Sequence, residues 1–132
     1  MTTDDPRYGE AVRRRMAALP GAGDLRPGGR VLRARAGDRE QGAEVVLEVR
    51  VDDDRASELG FRAFGCPHFL AAASWLTDRL RGCDRHDFER WDWREAATAL
   101  EVPAAKSGRL LVLQDAVHEA ARNWPGRGRA PV

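Results

Sequence analysis

Cys66 stands in the string Phe64-Gly65-Cys66-Pro67-His68, where an alternating apolar segment gives way to a helical pattern. That junction sets one thiol on a helix N-terminus. There the backbone N–H groups and the helix dipole favour the thiolate, the form that ligates metal or attacks sulfur. His68 reads as an exposed first-turn histidine, with a metal-facing role beside Cys66 as the other reading. Cys83 and His86 suggest a zinc site only until the spacing is considered. A helix of about 15 residues between the two cysteines holds them roughly 22 Å apart, whereas zinc–ligand bonds are about 2.0–2.3 Å. Asp38, in Gly37-Asp38-Arg39, reads as a turn residue or as a ligand. No nucleophile–base–orienter set marks a hydrolytic enzyme, so no catalytic residue is assigned.

These groups must be held by a modest soluble chain. Its 132 residues suggest one domain, and 42% hydrophobic with 33% charged residues is an ordinary globular balance. A formal net charge of +1 gives no general electrostatic case for nucleic acid. Two cysteines are too few for a disulfide framework, there is no secretory apolar region near the start, and no apolar run approaches the roughly 20 residues that span a bilayer. The expectation is a cytoplasmic protein that contacts neither membrane nor nucleic acid.

The elements follow from periodicity. Tyr8, Val12, Met16 and Leu19 recur at a helical spacing, stopped by Pro20-Gly21. The Gly- and Pro-rich stretch to Gly29 reads as an ordered loop. Leu32, Ala34 and Ala36 alternate with arginines; Val45, Leu47, Val49 and Val51 alternate more cleanly; and Glu58 to Gly65 makes a third strand with Leu59, Phe61 and Ala63 together. The joining segments, Asp38–Gly42 and the charged run from Asp52 to Ser57, are short, which implies an antiparallel meander. Pro67 suits a first helical position. Phe69, Ala72, Ala73, Leu76 and Leu80 then form a core stripe ended by Gly82. A connection with one helical turn, a short helix from Trp93 to Leu100, and a last helix N-capped by Ser107 complete the chain. Leu110, Leu113, Val117, Ala120 and Trp124 share the last helix's face. A sheet of this kind needs one face covered, and the helices are the available cover. The fold expected is α+β: a two-layer sandwich with a three-stranded antiparallel sheet. Residues 1–7 read as a disordered N-terminus, 8–124 as the domain, and 125–132 as a flexible basic tail.

At this point the chain resembles the iron–sulfur cluster assembly scaffold family, of the IscU/NifU N-terminal type. FRAFGCPHFLAAASWLTDRLRG is similar to the family's strand–Gly-Cys–helix segment. VPAAKSGRLLVLQDAVHEAARNW is similar to its Leu-Pro-Pro-Val-Lys segment and final helix. VRRRMAALPGAGDL is similar, more distantly, to its N-terminal helix and following loop.

The resemblance implies a site of three cysteines, an aspartate and a histidine at one end of the domain. Soft thiolates suit iron–sulfur clusters or zinc. Carried over, one cysteine falls on Cys66, while the family's His-Cys pair falls on Gly108 and Arg109. For the remaining cysteine and the aspartate two alignments stay open: Ala36 with Asp38, or Gln41 with Ala43. Neither restores a thiol, so Cys66 and Asp38 are the residual metal-ligand candidates. His68, Gly108 and Arg109 line the site. Arg109 brings a fixed positive charge, with Asp38 or a Cys66 thiolate as its candidate partner. A [2Fe–2S] cluster calls for about four protein ligands, so no cofactor is expected here, and an iron–sulfur cluster or zinc would need ligands from elsewhere. The resemblance further implies a non-enzymatic carrier, a cysteine desulfurase as partner, and a chaperone or co-chaperone contact at Pro103 and Lys106, for which an ordinary loop is the other reading. The sequence thus leaves two functions open: cluster assembly or sulfur handling through Cys66, and an interaction module that keeps only the fold.

Overall fold

The computed structural model describes residues 8–126. The expected N-terminal extension 1–7 and residues 127–132 of the expected tail lie outside the described residues. The order is α1 (Glu10–Met16), β1 (Arg30–Asp38), β2 (Ala43–Asp52), β3 (Arg55–Phe64), α2 (Pro67–Arg79), α3 (Arg85–Arg90), α4 (Arg94–Ala99), α5 (Ala104–Ser107) and α6 (Leu110–Arg122). The three strands form one antiparallel sheet in the order β1-β2-β3, the meander expected from the short joints.

Alternation decides which face is covered. Val45, Leu47 and Val49 of β2 are fully buried, as are Phe69 and Leu76 of α2 and Leu110, Leu113 and Val117 of α6. Helix α6 lies across β1 and β2, α2 lies along β3, and α1 packs on α2. The opposite sheet face carries interleaved charges: Arg33 with Glu48, Arg35 and Arg39 with Glu44, and Arg50 with Glu58. Glu48 is buried among them, and it also accepts the Leu25 N–H at 2.8 Å.

The loop after α1 is ordered because it pairs with β3. Gly23 N–H donates to Phe61 O at 2.8 Å, and Phe61 N–H donates to Gly21 O at 3.0 Å. Gly60 permits that approach, since a Cβ there would lie 2.6 Å from the Gly23 carbonyl oxygen. On the other margin of the sheet, the Asn123 side-chain amide donates to Arg33 O at 2.9 Å.

Two boundaries differ from expectation. β3 begins at Arg55 rather than Glu58, because Asp53 and Asp54 make a tight turn with both residues at left-handed φ, 54° and 62°. Such a turn matches the strand twist and frees Arg55 and Ala56 to pair. Ser107 does not cap α6: its hydroxyl donates to Ala104 O at 2.9 Å inside α5, and Arg109 occupies the capping position instead. The Pro103–Ser107 stretch has closed into a turn of its own, so the last helix starts later.

Candidate functional site

Gly65 and Pro67 fix Cys66 from either side. A Cβ on Gly65 would lie 2.7 Å from the ring of Phe69, so glycine lets the strand turn tightly onto the buried first turn of α2. Pro67 takes the first helical position, where its missing N–H costs nothing. Cys66 is therefore the N-cap, extended at φ −73° and ψ 165°. Its carbonyl accepts from Leu70 N–H at 3.0 Å, and its side chain makes no capping hydrogen bond. The residue is half-buried and its thiol is free of any disulfide.

The sheet register puts the β1–β2 turn at the same end of the domain as this thiol. Glu44 pairs with Phe64, two residues before Cys66, so the β1–β2 turn and the Gly-Cys junction stand at the same end of the sheet. Asp38 pairs with Ala43 on the other side of the same turn. Gly42 is left-handed at φ 89°, and the Arg109 guanidinium packs on its open side, 3.6–3.7 Å from where a Cβ would stand. Gly37, left-handed at φ 88°, lies under Val112 of α6. A Cβ there would come 2.7 Å from the Val112 side chain and 2.2 Å from the Ala43 carbonyl oxygen. Glycine at 37 thus lets the start of α6 settle onto the turn, and that contact delivers Arg109.

The carboxylates here are already committed. One oxygen of Asp38 accepts from Glu40 N–H at 2.8 Å and caps the 3₁₀ turn Arg39–Gln41. Glu44 accepts from Arg35 at 2.6 Å and from Arg39 at 3.3 Å, and the Arg35 hydrogen bond holds its carboxyl below the usual range. Of the two partners expected for Arg109, Asp38 is spent on its own turn, and Arg109 takes part in none of the ion pairs among the described residues. Among those residues no group of three or more His, Cys, Asp or Glu stands close enough to hold a metal ion.

His68 corrects the sequence reading. It is 4% exposed rather than solvent-facing. The Tyr8 ring meets it edge-on at 4.9 Å between centroids, and its Nδ1 has no hydrogen-bond partner. Burial pushes its pKa down from the ordinary histidine value, and the positive charge of Lys106 pushes in the same direction. Lys106 therefore comes near the first turn of α2. Pro103 caps the same short α5, where its carbonyl accepts from Lys106 N–H at 2.8 Å. Gly108, at the α5–α6 joint, has open space where a Cβ would be.

Sequence reasoning missed the Tyr8–His68 packing, the seat of Arg109 on Gly42, and the stacking of Arg39 over the half-exposed Phe64 ring at 5.1 Å. An exposed phenylalanine just before Gly-Cys was the available signal for the last of these. Cys83 lies beyond the far end of α2, where burial is the main cause that raises its pKa.

The structure and sequence both have relatives. The crystal structure of FiSufU, from the SUF system of Fervidobacterium islandicum AW-1, superposes with a TM-score of 0.66 at 14% identity, over 86% of this chain and 96% of that one. The N-terminal NifU-like protein of Brucella abortus gives 0.54 at 16%, over 92% and 82%. Likeness at that identity shows the fold. In sequence, the iron sulfur cluster assembly protein 1 of Eremothecium gossypii is 28% identical over 64% of this chain and 56% of its own length. The bifunctional protein NifU/MnmA of Rubrobacter xylanophilus is 32% identical over 94% of this chain and 26% of its own. The chain spans about half the length of several of the relatives it matches. The family model of the NifU-like N-terminal domain matches residues 8–130, covering the sheet, the Gly-Cys junction and the final helix alike, and the chain belongs to that family.

Proposed function

We propose that this protein works in iron–sulfur cluster assembly as a handler of sulfur, with Cys66 as the acceptor, and that a single chain does not hold a [2Fe–2S] cluster. The observation that carries the reading is the company of Cys66: a half-buried thiol at a helix start, with the Arg109 guanidinium seated on Gly42 in the turn at the same end of the sheet. A cluster as cargo needs about four protein donors. This end of the sheet offers one thiol, carboxylates bound by backbone and guanidinium groups, and a cation that repels iron. A negatively charged sulfur species meets the opposite situation, since Arg109 and Lys106 both favour it.

The step we infer is a transfer between thiols. The Cys66 thiolate attacks the outer sulfur of a donor persulfide, as delivered by a cysteine desulfurase. A new S–S bond forms on Cys66, the donor's S–S bond breaks, and the donor leaves as a thiolate. The terminal S–H of the Cys66 persulfide then releases its proton to solvent. No net oxidation occurs, so no further reagent is needed. The protein acts as a carrier, and the Pro103–Lys106 turn is the segment we assign to a chaperone-type partner.

Intact mass measured after incubation with a desulfurase and cysteine tests this. The expected result is a gain of one sulfur atom that a reductant removes and that Cys66→Ser abolishes. The second reading, an interaction module with no sulfur chemistry, is favoured by the missing donors. It predicts no adduct on the wild-type chain, and that result would overturn the proposal.

A further inference from the structure

On the sheet face turned away from the helices, acid and base stand at different depths. The side chains of Glu44 and Glu48 are sunk into the sheet, 16% and 8% exposed. Their partners Arg33, Arg35 and Arg39 stand above them at 62–70%. Arg62 is exposed as well, paired at 3.0 Å with Asp24, which is nearly as open. A guanidinium carries five N–H donors and no acceptor. One sunken carboxylate shared by Arg35 and Arg39 therefore leaves donors of both to whatever approaches from outside. Further along the face the order reverses, with Arg50 lying beneath an exposed Glu58. The basic surface thus lies toward the Cys66 end.

The middle of this surface is apolar. Arg35 and Arg62 both pair with Val46 from either side, so with strands about 4.7–4.9 Å apart their backbones stand about 10 Å from each other. Phe64, the next residue of β3 on the same face, is 43% exposed, with the Arg39 guanidinium over its ring at 5.1 Å. These groups line a hollow of about 260 Å³. Small-molecule sites run to roughly 300–1,000 Å³, so the hollow suits one side chain of a larger partner better than a whole ligand. The rim then selects by charge. Carboxylates supply the acceptors that the open guanidiniums lack, and a basic segment meets charge of its own sign. A nucleic acid strand fits less well, because it would stack on one ring only and pass its phosphates over the Glu44 and Glu48 carboxylates. We propose that this face is a docking surface for an acidic segment of a partner protein, with one apolar side chain of that segment seated against Val46 and Phe64. A partner held there would stand at the Cys66 end of the sheet, yet the surface does not depend on the sulfur chemistry proposed for Cys66.

The test uses the full chain and two synthetic peptides, acetyl-Glu-Asp-Glu-Leu-Glu-Asp-Glu-amide and its all-lysine counterpart around the same leucine. Backbone amide resonances are followed at low and high salt, with an oligothymidylate strand titrated in parallel. Saturable binding of the acidic peptide is expected, with shifts centred on Arg35, Val46, Arg62 and Phe64 and affinity falling as salt rises. Arg35→Gln combined with Arg62→Gln, both on exposed side chains, is expected to weaken binding about tenfold. Phe64→Ala, checked for native circular dichroism, is expected to weaken it while keeping the salt dependence. Absence of saturable binding overturns the proposal, and so does binding of the lysine peptide with equal strength. Shifts centred elsewhere, or binding that neither variant alters, overturn it as well. Tighter binding of the oligothymidylate than of the acidic peptide would reassign the face to nucleic acid.

Discussion

Arg109 decides what kind of ligand the Cys66 end can favour. A guanidinium is a fixed positive charge, so this end of the sheet stays electropositive where the sulfur reacts. Arg109→Gln should leave the fold intact, because the side chain is exposed and makes no ion pair among the described residues. The initial rate of sulfur uptake, read by intact mass, should fall about tenfold through weaker attraction of an anionic donor. His68 supplies a pH signature. Its folded-state pKa lies below its unfolded value of 6.5, so the unfolded chain takes up the proton first. The stabilisation is full above the unfolded pKa and is lost as pH falls through it toward the depressed folded value. Between about pH 7 and about pH 5 the denaturation midpoint should decline in the wild type and decline less in His68→Gln. A curve of equal slope in both would remove His68 as the cause. The burial of His68 was hidden from the sequence because its ring packs against a distant piece of chain, Tyr8. Cys66 was legible because its position depends on its immediate neighbours, Gly65 and Pro67.

The β1–β2 turn and the first turn of α6 act as one joint. Gly37 is its closest point, and Gly37→Ala is expected to be severe. A non-glycine residue at left-handed φ costs about 1–3 kcal/mol on backbone grounds, and the added methyl would strike the Ala43 carbonyl and Val112. Chemical denaturation should register a loss of at least that size, and Arg109 should lose its seat. Glu48→Ala tests the opposite face, where Leu25 N–H would lose its acceptor. The expected cost is about 1 kcal/mol for the lost hydrogen bond of a part-buried donor, with proteolysis rising in the loop before β1. At this scale the sequence was readable wherever one period ruled. Val45 to Val51 and Phe69 to Leu80 announced a strand and a helix whose buried faces are those observed. The start of β3 was misplaced because Asp53 and Asp54 adopt a conformation that acidic residues tolerate but do not advertise. Likewise, nothing in Ala104–Ser107 told a loop from a helical turn.

Over the whole molecule, a single core joins sheet and helices, from Val12 in α1 to Trp124 after α6. Unfolding should therefore be one cooperative event. Tryptophan fluorescence and far-ultraviolet circular dichroism are expected to share one midpoint in urea; separate midpoints would mean that the helical layer melts on its own. Architecture was the most legible level, since three short-jointed strands and helices with one apolar stripe have few ways to pack. The meeting of Arg109 with the β1–β2 turn was the least legible, because only the register and the lie of α6 bring them together. The hydrogen bond from Asn123 to the Arg33 carbonyl has an effect beyond the domain. A bare outer strand is an invitation for a neighbour's strand to zip on, and this amide occupies one of the sockets such a neighbour would need. With arginines projecting along the same border, crowded copies of the protein should slide past one another instead of fusing into fibrils.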